Sequence, residues 1–171
     1  NWTASTTLNI ENGSATNSLE RSTGIAACAD ETGRVYAAWR DGRDPDPFMT
    51  LAYPGQIKLR YSTDSGASFL PAADEIKLDA ADSTGTESSD PRIDCEDSGL
   101  VAVVWADQRN GDSDVYISVS QDGGTTWSPE TRVDDGAGGS VAAMPQVAIV
   151  PGDSPRLLVA WEDDRDGGRD I

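Results

Sequence analysis

Gly99-Leu100-Val101-Ala102-Val103-Val104-Trp105-Ala106-Asp107-Gln108-Arg109-Asn110 runs from a turn glycine through a short apolar stretch into a polar loop. The same order recurs upstream as Gly33-Arg34-Val35-Tyr36-Ala37-Ala38-Trp39-Arg40-Asp41-Gly42-Arg43-Asp44. It recurs downstream as Arg156-Leu157-Leu158-Val159-Ala160-Trp161-Glu162-Asp163-Asp164-Arg165-Asp166. Each copy is an apolar strand closed by Trp-x-Asp-x-Arg, and the tryptophans stand 66 and 56 residues apart. A second signature follows the first two copies. Ser62-Thr63-Asp64-Ser65-Gly66-Ala67-Ser68-Phe69 matches Ser120-Gln121-Asp122-Gly123-Gly124-Thr125-Thr126-Trp127, 58 residues on. Two linked signatures in a constant order identify a tandem repeat.

Working outward from the markers, the intervening segments read as strands. Residues 57–62 and 115–120 alternate with period two and are rich in β-branched and aromatic side chains. Gly, Asp, Asn and Pro punctuate them, and no window carries a helical period. Each repeat then holds an inner strand (25–29, 92–95, 146–150), the Trp-ending strand, the alternating strand, and an outer strand (75–78, 130–133). Four antiparallel strands per repeat, stacked side by side, predict an all-β fold, a β-propeller of four-stranded blades. The expected division is the end of a preceding blade and a linker over 1–24, blades over 25–80 and 90–135, and an incomplete blade over 144–171. Asn1-Trp2-Thr3 aligns with Thr126-Trp127-Ser128, and Asp170-Ile171 with Asp114-Val115. The expectation is about three blades of a longer array, six in the complete propeller, with seven as the alternative.

The pattern Ser-x-Asp-x-Gly-x-x-Trp resembles the Asp box of sialidase-like (BNR repeat) propellers. Ser120, Asp122, Gly124 and Trp127 match it in full, and Ser62, Asp64, Gly66 and Phe69 match with Phe for Trp. Physically the box is a tight turn: the carboxylate accepts turn N–H groups, glycine supplies a positive φ, and the ring covers the corner. In that family the box is structural and many carriers are not enzymes. The resemblance therefore speaks to fold more than to activity.

Composition removes several function classes. The chain has 171 residues, 13 Lys and Arg against 30 Asp and Glu, a net charge of −17, and no histidine. Without histidine there is no Ser-His-Asp or Cys-His nucleophile and no His-bearing zinc site. The acidic excess disfavours nucleic acid and anionic membrane surfaces as partners. No apolar run reaches the length of a membrane span, so membrane insertion is not expected.

Strand direction puts the Ser-x-Asp turns on one rim of the blades. The Trp-x-Asp-x-Arg loops share the opposite rim with the blade-to-blade connections. In the family resembled, that opposite face carries the substrate pocket. Asp107, Asn110, Asp112 and Asp114 gather oxygen ligands that suit calcium, the one cofactor considered, while the simpler reading has Arg43, Arg109 and Arg165 pairing with neighbouring carboxylates. The loop after Trp39 is eight residues longer than its equivalent, and Phe48 and Tyr53 within it form a candidate aromatic lip for a sugar or a partner, against a plain surface loop.

Arg92 begins an inner strand where the aligned copies carry Ala26 and Gln146. The resemblance implies that an arginine so placed grips a substrate carboxylate, with Asp94 beside it. The bland alternative pairs Arg92 with Asp90 or Asp94. The family's catalytic set of three arginines, an Asp acid/base and a Tyr–Glu pair is not assembled in this segment. Cys28 and Cys95 fall on neighbouring inner strands and either form a disulfide or stay as buried thiols. Asn1-Trp2-Thr3 and Asn12-Gly13-Ser14 fit the N-glycosylation pattern, which is common by chance in such a chain.

The expected setting is extracellular or the cell surface. The first functional reading is a non-catalytic module that binds a glycan or a cell-surface protein through the Arg-loop face, with further blades from the same or another chain. The alternatives are a fragment of a sialidase-type glycoside hydrolase and a structural subunit of a surface or filamentous assembly.

Overall fold

The computed structural model describes residues 22–42, 55–79, 87–136 and 140–171. Within them every regular element is a strand: β1 (Ser22–Ala29), β2 (Val35–Asp41), β3 (Gln56–Ser62), β4 (Ile76–Lys77), β5 (Ser88–Cys95), β6 (Val101–Asp107), β7 (Asp114–Ser120), β8 (Thr131–Arg132), β9 (Ala142–Val150) and β10 (Arg156–Asp163). They form two four-stranded sheets, β1-β2-β3-β4 and β5-β6-β7-β8, and a two-stranded sheet of β9 and β10. All pairings are antiparallel between chain neighbours.

Of the Trp-ending strands, β6 lies between the other two sheets and is covered on both faces, whereas β10 alternates between exposed and partly buried positions. β6 is buried at every position, which is why it reads as a continuous run where a half-exposed strand would alternate. On one side, Val103, Trp105 and Tyr116 of the second sheet pack with Ala38, Ile57, Leu59 and Leu78 of the first. On the other, Ala102, Val104 and Ile117 meet Val147, Ile149, Leu157 and Val159 of the third. A fully buried aliphatic side chain contributes about 1.5–3 kcal/mol, so these two seams hold the sheets together.

The inner strands β1, β5 and β9 lie side by side. They start three or four residues earlier than the alternation indicates, for one shared reason. Each contains a bulge, at Thr23/Ala26, Ser89/Arg92 and opposite Ala160/Glu162. The bulged residue is left-handed in every copy: Gly24 at φ 59°, Asp90 at 50° and Met144 at 52°. One extra residue inverts the side-chain alternation, so a period-two reading stops at the kink. The outer strands are also shorter than expected, two residues each in β4 and β8.

At the far ends of the inner strands, Cys28 and Cys95 form a disulfide, tying the first sheet to the second. The equivalent position between the second and third sheets holds a hydrogen bond instead. There Asp94 Oδ2 accepts the Ile149 N–H at 2.7 Å.

Candidate functional site

The two signatures lie on opposite rims. Ser65 and Gly123 donate their N–H groups to Gly33 and Gly99, in the β1–β2 and β5–β6 turns. On the other rim, Gln108 donates to the Glu87 carbonyl and Ala142 to that of Ser113, joining the Trp-x-Asp-x-Arg loops to the connections between sheets.

The Ser-x-Asp turns are built around the serine as much as the aspartate. Ser62 Oγ donates to Asp64 Oδ1 at 2.7 Å and accepts the Gly66 N–H at 2.8 Å. Asp64 in turn accepts the Ser68 N–H at 2.8 Å and the Ser68 hydroxyl at 2.6 Å. Ser120, Asp122, Gly124 and Thr126 repeat this set, with Gly124 N–H to Ser120 Oγ at 2.9 Å and Thr126 N–H to Asp122 Oδ1 at 2.8 Å. These bonds favour the anion, and they hold Asp64 and Asp122 at about 2, led by Ser68 and Thr126 respectively. Gly66 and Gly124 are left-handed at φ 84° and 86°. The ring following the second turn is pinned as well: Trp127 Nε1 donates to the Gly124 carbonyl at 3.1 Å. Phe69, its counterpart, gives its carbonyl to Arg60 at 2.7 Å.

The Trp-x-Asp-x-Arg loops fold onto their own aspartates. The indole N–H donates to the carboxylate two residues on, Trp39 to Asp41 and Trp105 to Asp107 at 3.2 Å, Trp161 to Asp163 at 3.4 Å. Arg109 gives Asp107 its backbone N–H at 2.9 Å and its Nε at 3.0 Å, reaches Glu130 at 2.8 Å, and lies 4.2 Å over the Tyr116 ring. Arg165 gives both its Nε and NH2 to Asp163 Oδ2 and reaches Asp135 at 2.6 Å. Burial raises the Asp107 carboxyl, but the Arg109 hydrogen bonds outweigh it and leave it below its ordinary value. Arg165 holds Asp163 at about 2.

The four residues considered for calcium are therefore divided among other partners. Asp107 sits on Arg109, Asp114 pairs with Arg132 at 2.8 Å, and Asn110 donates to Asp114 at 2.7 Å. Asp112 also makes an interaction of its own. Among the described residues no group of three or more His, Cys, Asp or Glu side chains is placed to hold a metal ion.

Arg92 follows the kink of β5, opposite Val104 of β6. Its NH1 donates to the carbonyl of Pro91 at 2.8 Å, and among the described residues it forms no ion pair. Asp90 and Asp94, its expected partners in the bland reading, are not bonded to it. Asp94 has a structural task, accepting the N–H groups of Cys95 at 2.9 Å and of Ile149. Phe48 and Tyr53, the proposed lip, lie outside the described residues.

A further pair of carboxylates escaped the sequence reading. Asp79 and Asp134 each close an outer strand and accept an N–H from the start of the alternating strand, Ile57 and Val115. The sequence signal was present: Lys77-Leu78-Asp79 and Arg132-Val133-Asp134 recur in the repeat. Asp134 is forked by Arg132 at 3.1 and 2.6 Å, whereas Asp79 has no such fork among the described residues.

No family model matches the chain, and no curated protein sequence matches it. Solved structures do. A Hadza microbial sialidase matches 88% of the chain with a TM-score of 0.55 at 19% identity, and the match covers 32% of the sialidase. A Penicillium chrysogenum α-L-arabinanase, solved with arabinobiose, matches 89% with a TM-score of 0.56 at 14% identity, over 44% of its own length. The chain thus spans less than half of either protein. At such identities the likeness is one of fold, and the fold it supports is that of the β-propeller glycosidases.

Proposed function

We propose that this chain is a segment of a sialidase-like, Asp-box propeller that binds an acidic glycan on the rim bearing the Trp-x-Asp-x-Arg loops, with Arg92 gripping the sugar carboxylate. The observation that carries the reading is the half-buried Arg92 guanidinium, without an ion pair among the described residues of a chain that has 30 acidic side chains. Arg40, Arg109, Arg132 and Arg165 all hold carboxylates. An arginine left with a single backbone acceptor keeps its planar donor fork available for a bidentate anion. The propeller-glycosidase fold of the neighbours supports carbohydrate as the ligand class. The described residues contribute binding and scaffold, and the groups that turn a glycan over would come from further blades.

The disulfide is compatible with a secreted protein, and no helix among the described residues is long and apolar enough to cross a membrane. An extracellular setting, where acidic glycans are displayed, completes the proposal.

The test is titration of the whole protein with sialyllactose and with neutral lactose, followed by NMR or calorimetry. Sialyllactose should bind and lactose should not, and Arg92→Ala should weaken binding by about 10- to 100-fold, the worth of a charge-assisted pair. Equal affinity for the two sugars, or an unchanged affinity in the variant, would sink it. Release of sialic acid from a fluorogenic substrate by the whole protein would make the site catalytic as well.

A further inference from the structure

Asp79 is 2% exposed, and its Oδ1 has no hydrogen-bond partner among the described residues. Half of an anion's charge would therefore stand uncompensated in the seam between the first two sheets. The groups facing it come from four elements. Ile57 of β3 donates its N–H, and Ser88 of β5 shares a hydrogen bond. Asp107 of β6 repels a negative charge there, and Lys77 of β4 attracts one.

Ser88 is the pivot. Its Oγ also lies 3.1 Å from Asp107 Oδ2. A hydroxyl has a single proton to donate, so Ser88 cannot serve two carboxylates as donor. Arg109 and Trp105 hold Asp107 as the anion, which makes Asp107 the better acceptor for the Ser88 proton. Asp79 then meets a lone pair of Ser88, and an ionised carboxylate has nothing to offer it.

We infer that Asp79 carries a proton, and that the chain Asp79 to Ser88 to Asp107, each donating to the next, is an acid-dependent latch between the first and second sheets. Each gap along the chain then holds one proton, the unpartnered Oδ1 of Asp79 belongs to a neutral carboxyl, and the charge rests on Asp107, where Arg109 neutralises it. Burial is the largest influence on Asp79 and moves its carboxyl from 3.8 up to about 6. By linkage, a value raised on folding means that the folded state holds the proton more tightly than the unfolded one. The stabilisation is complete below the unfolded value and is lost as pH rises through about 6. The chain has no histidine, and the other shifted carboxyls described, Asp64, Asp107, Asp122, Asp134 and Asp163, all move down. They act with the opposite sign and only at the acid end, and a variant at Asp79 shares them, so the difference between the two proteins isolates Asp79.

The test pairs denaturant unfolding between pH 4 and 7 with carboxyl-carbon NMR of the full chain, for the wild type and Asp79→Asn. The amide oxygen of the variant still accepts from Ile57, and its NH2 donates to Ser88 without a proton from solvent. Relative to Asp79→Asn, the wild-type unfolding constant should rise by about 50-fold across the range, approaching ten-fold per pH unit between the unfolded and folded midpoints of Asp79. The wild-type Asp79 carboxyl should titrate near 6. Parallel profiles, with the ratio of the two unfolding constants constant to within about 3-fold across the range, overturn the latch. Should the variant fail to fold, a wild-type Asp79 midpoint below about 4.5 overturns it, and one near 6 upholds it.

Discussion

The seam between the first and second sheets and the seam between the second and third are built on the same backbone plan and closed by different chemistry. The first has the Cys28–Cys95 disulfide on one rim and the deeply buried Asp79 near the other. The second has, at the matching places, the Asp94 carboxylate on the Ile149 N–H and Asp134 held by Arg132. Burial raises both outer-strand carboxyls, yet the Arg132 fork takes Asp134 below its ordinary value while Asp79 stays above. Identical positions in a repeat therefore fix the hydrogen bond to the backbone but not the charge. The charge depends on what stands two residues earlier, Lys77 in one copy and Arg132 in the other.

The strongest way to break the contrast is to remove the covalent tie. The bond closes a loop across a sequence separation of 67 residues, for which chain entropy assigns about 4 kcal/mol. Cys28→Ser with Cys95→Ser should lose an amount of that order in urea unfolding, and reduction of the native protein should reproduce it. A loss under about 1 kcal/mol would show that side-chain packing alone holds the first seam.

Next in size is Arg132→Met. It leaves Asp134 and Asp114 without their guanidinium in a largely buried place, and the cost should be about 2–3 kcal/mol at pH 7. The more telling readout is pH: Asp134 should then move upward, and the second seam should acquire the acid preference of the first. An Asp134 carboxyl that still titrates below its ordinary value would mean that the fork is not what distinguishes the seams.

The smallest effect belongs to Asp94→Ala, which removes the bond across the second seam and the one to Cys95. About 1–2 kcal/mol is expected, with faster amide exchange at Ile149. Unchanged exchange there would assign the tie to packing by Ile149 and its neighbours.

Much of this was legible in the amino-acid order. The paired signatures yielded the repeat, the antiparallel plan and the opposite rims, because strand periodicity and turn residues are local properties. The kinks were not legible. Asp90 and Met144 adopt a left-handed backbone that their side chains disfavour by about 1–2 kcal/mol, and each stands immediately before a fully buried proline, Pro91 or Pro145. Arg92 was singled out by its departure from the repeat, and its lack of an ion pair among the described residues is a three-dimensional fact that spacing could not supply. Asp94 was read beside it as a ligand residue, although its neighbour in space is Ile149, 55 positions away. Asp79 and Asp134 are hidden for the opposite reason: they keep to the repeat, so nothing in the alignment sets them apart.

Gly124 presses on Tyr36 and Tyr61 closely enough that an added Cβ would stand 3.1 Å from the Tyr36 ring. The turn of one sheet is thus part of the wall of the sheet before it. For a chain emerging from the ribosome this sets an order of completion. The first sheet can pair its strands as soon as residue 77 is free, but Tyr36 and Asp79 stay wet until β5 and the second Ser-x-Asp turn arrive. Each unit is finished by its successor, so a nascent chain halted between residues 80 and 120 would leave that wall open to solvent.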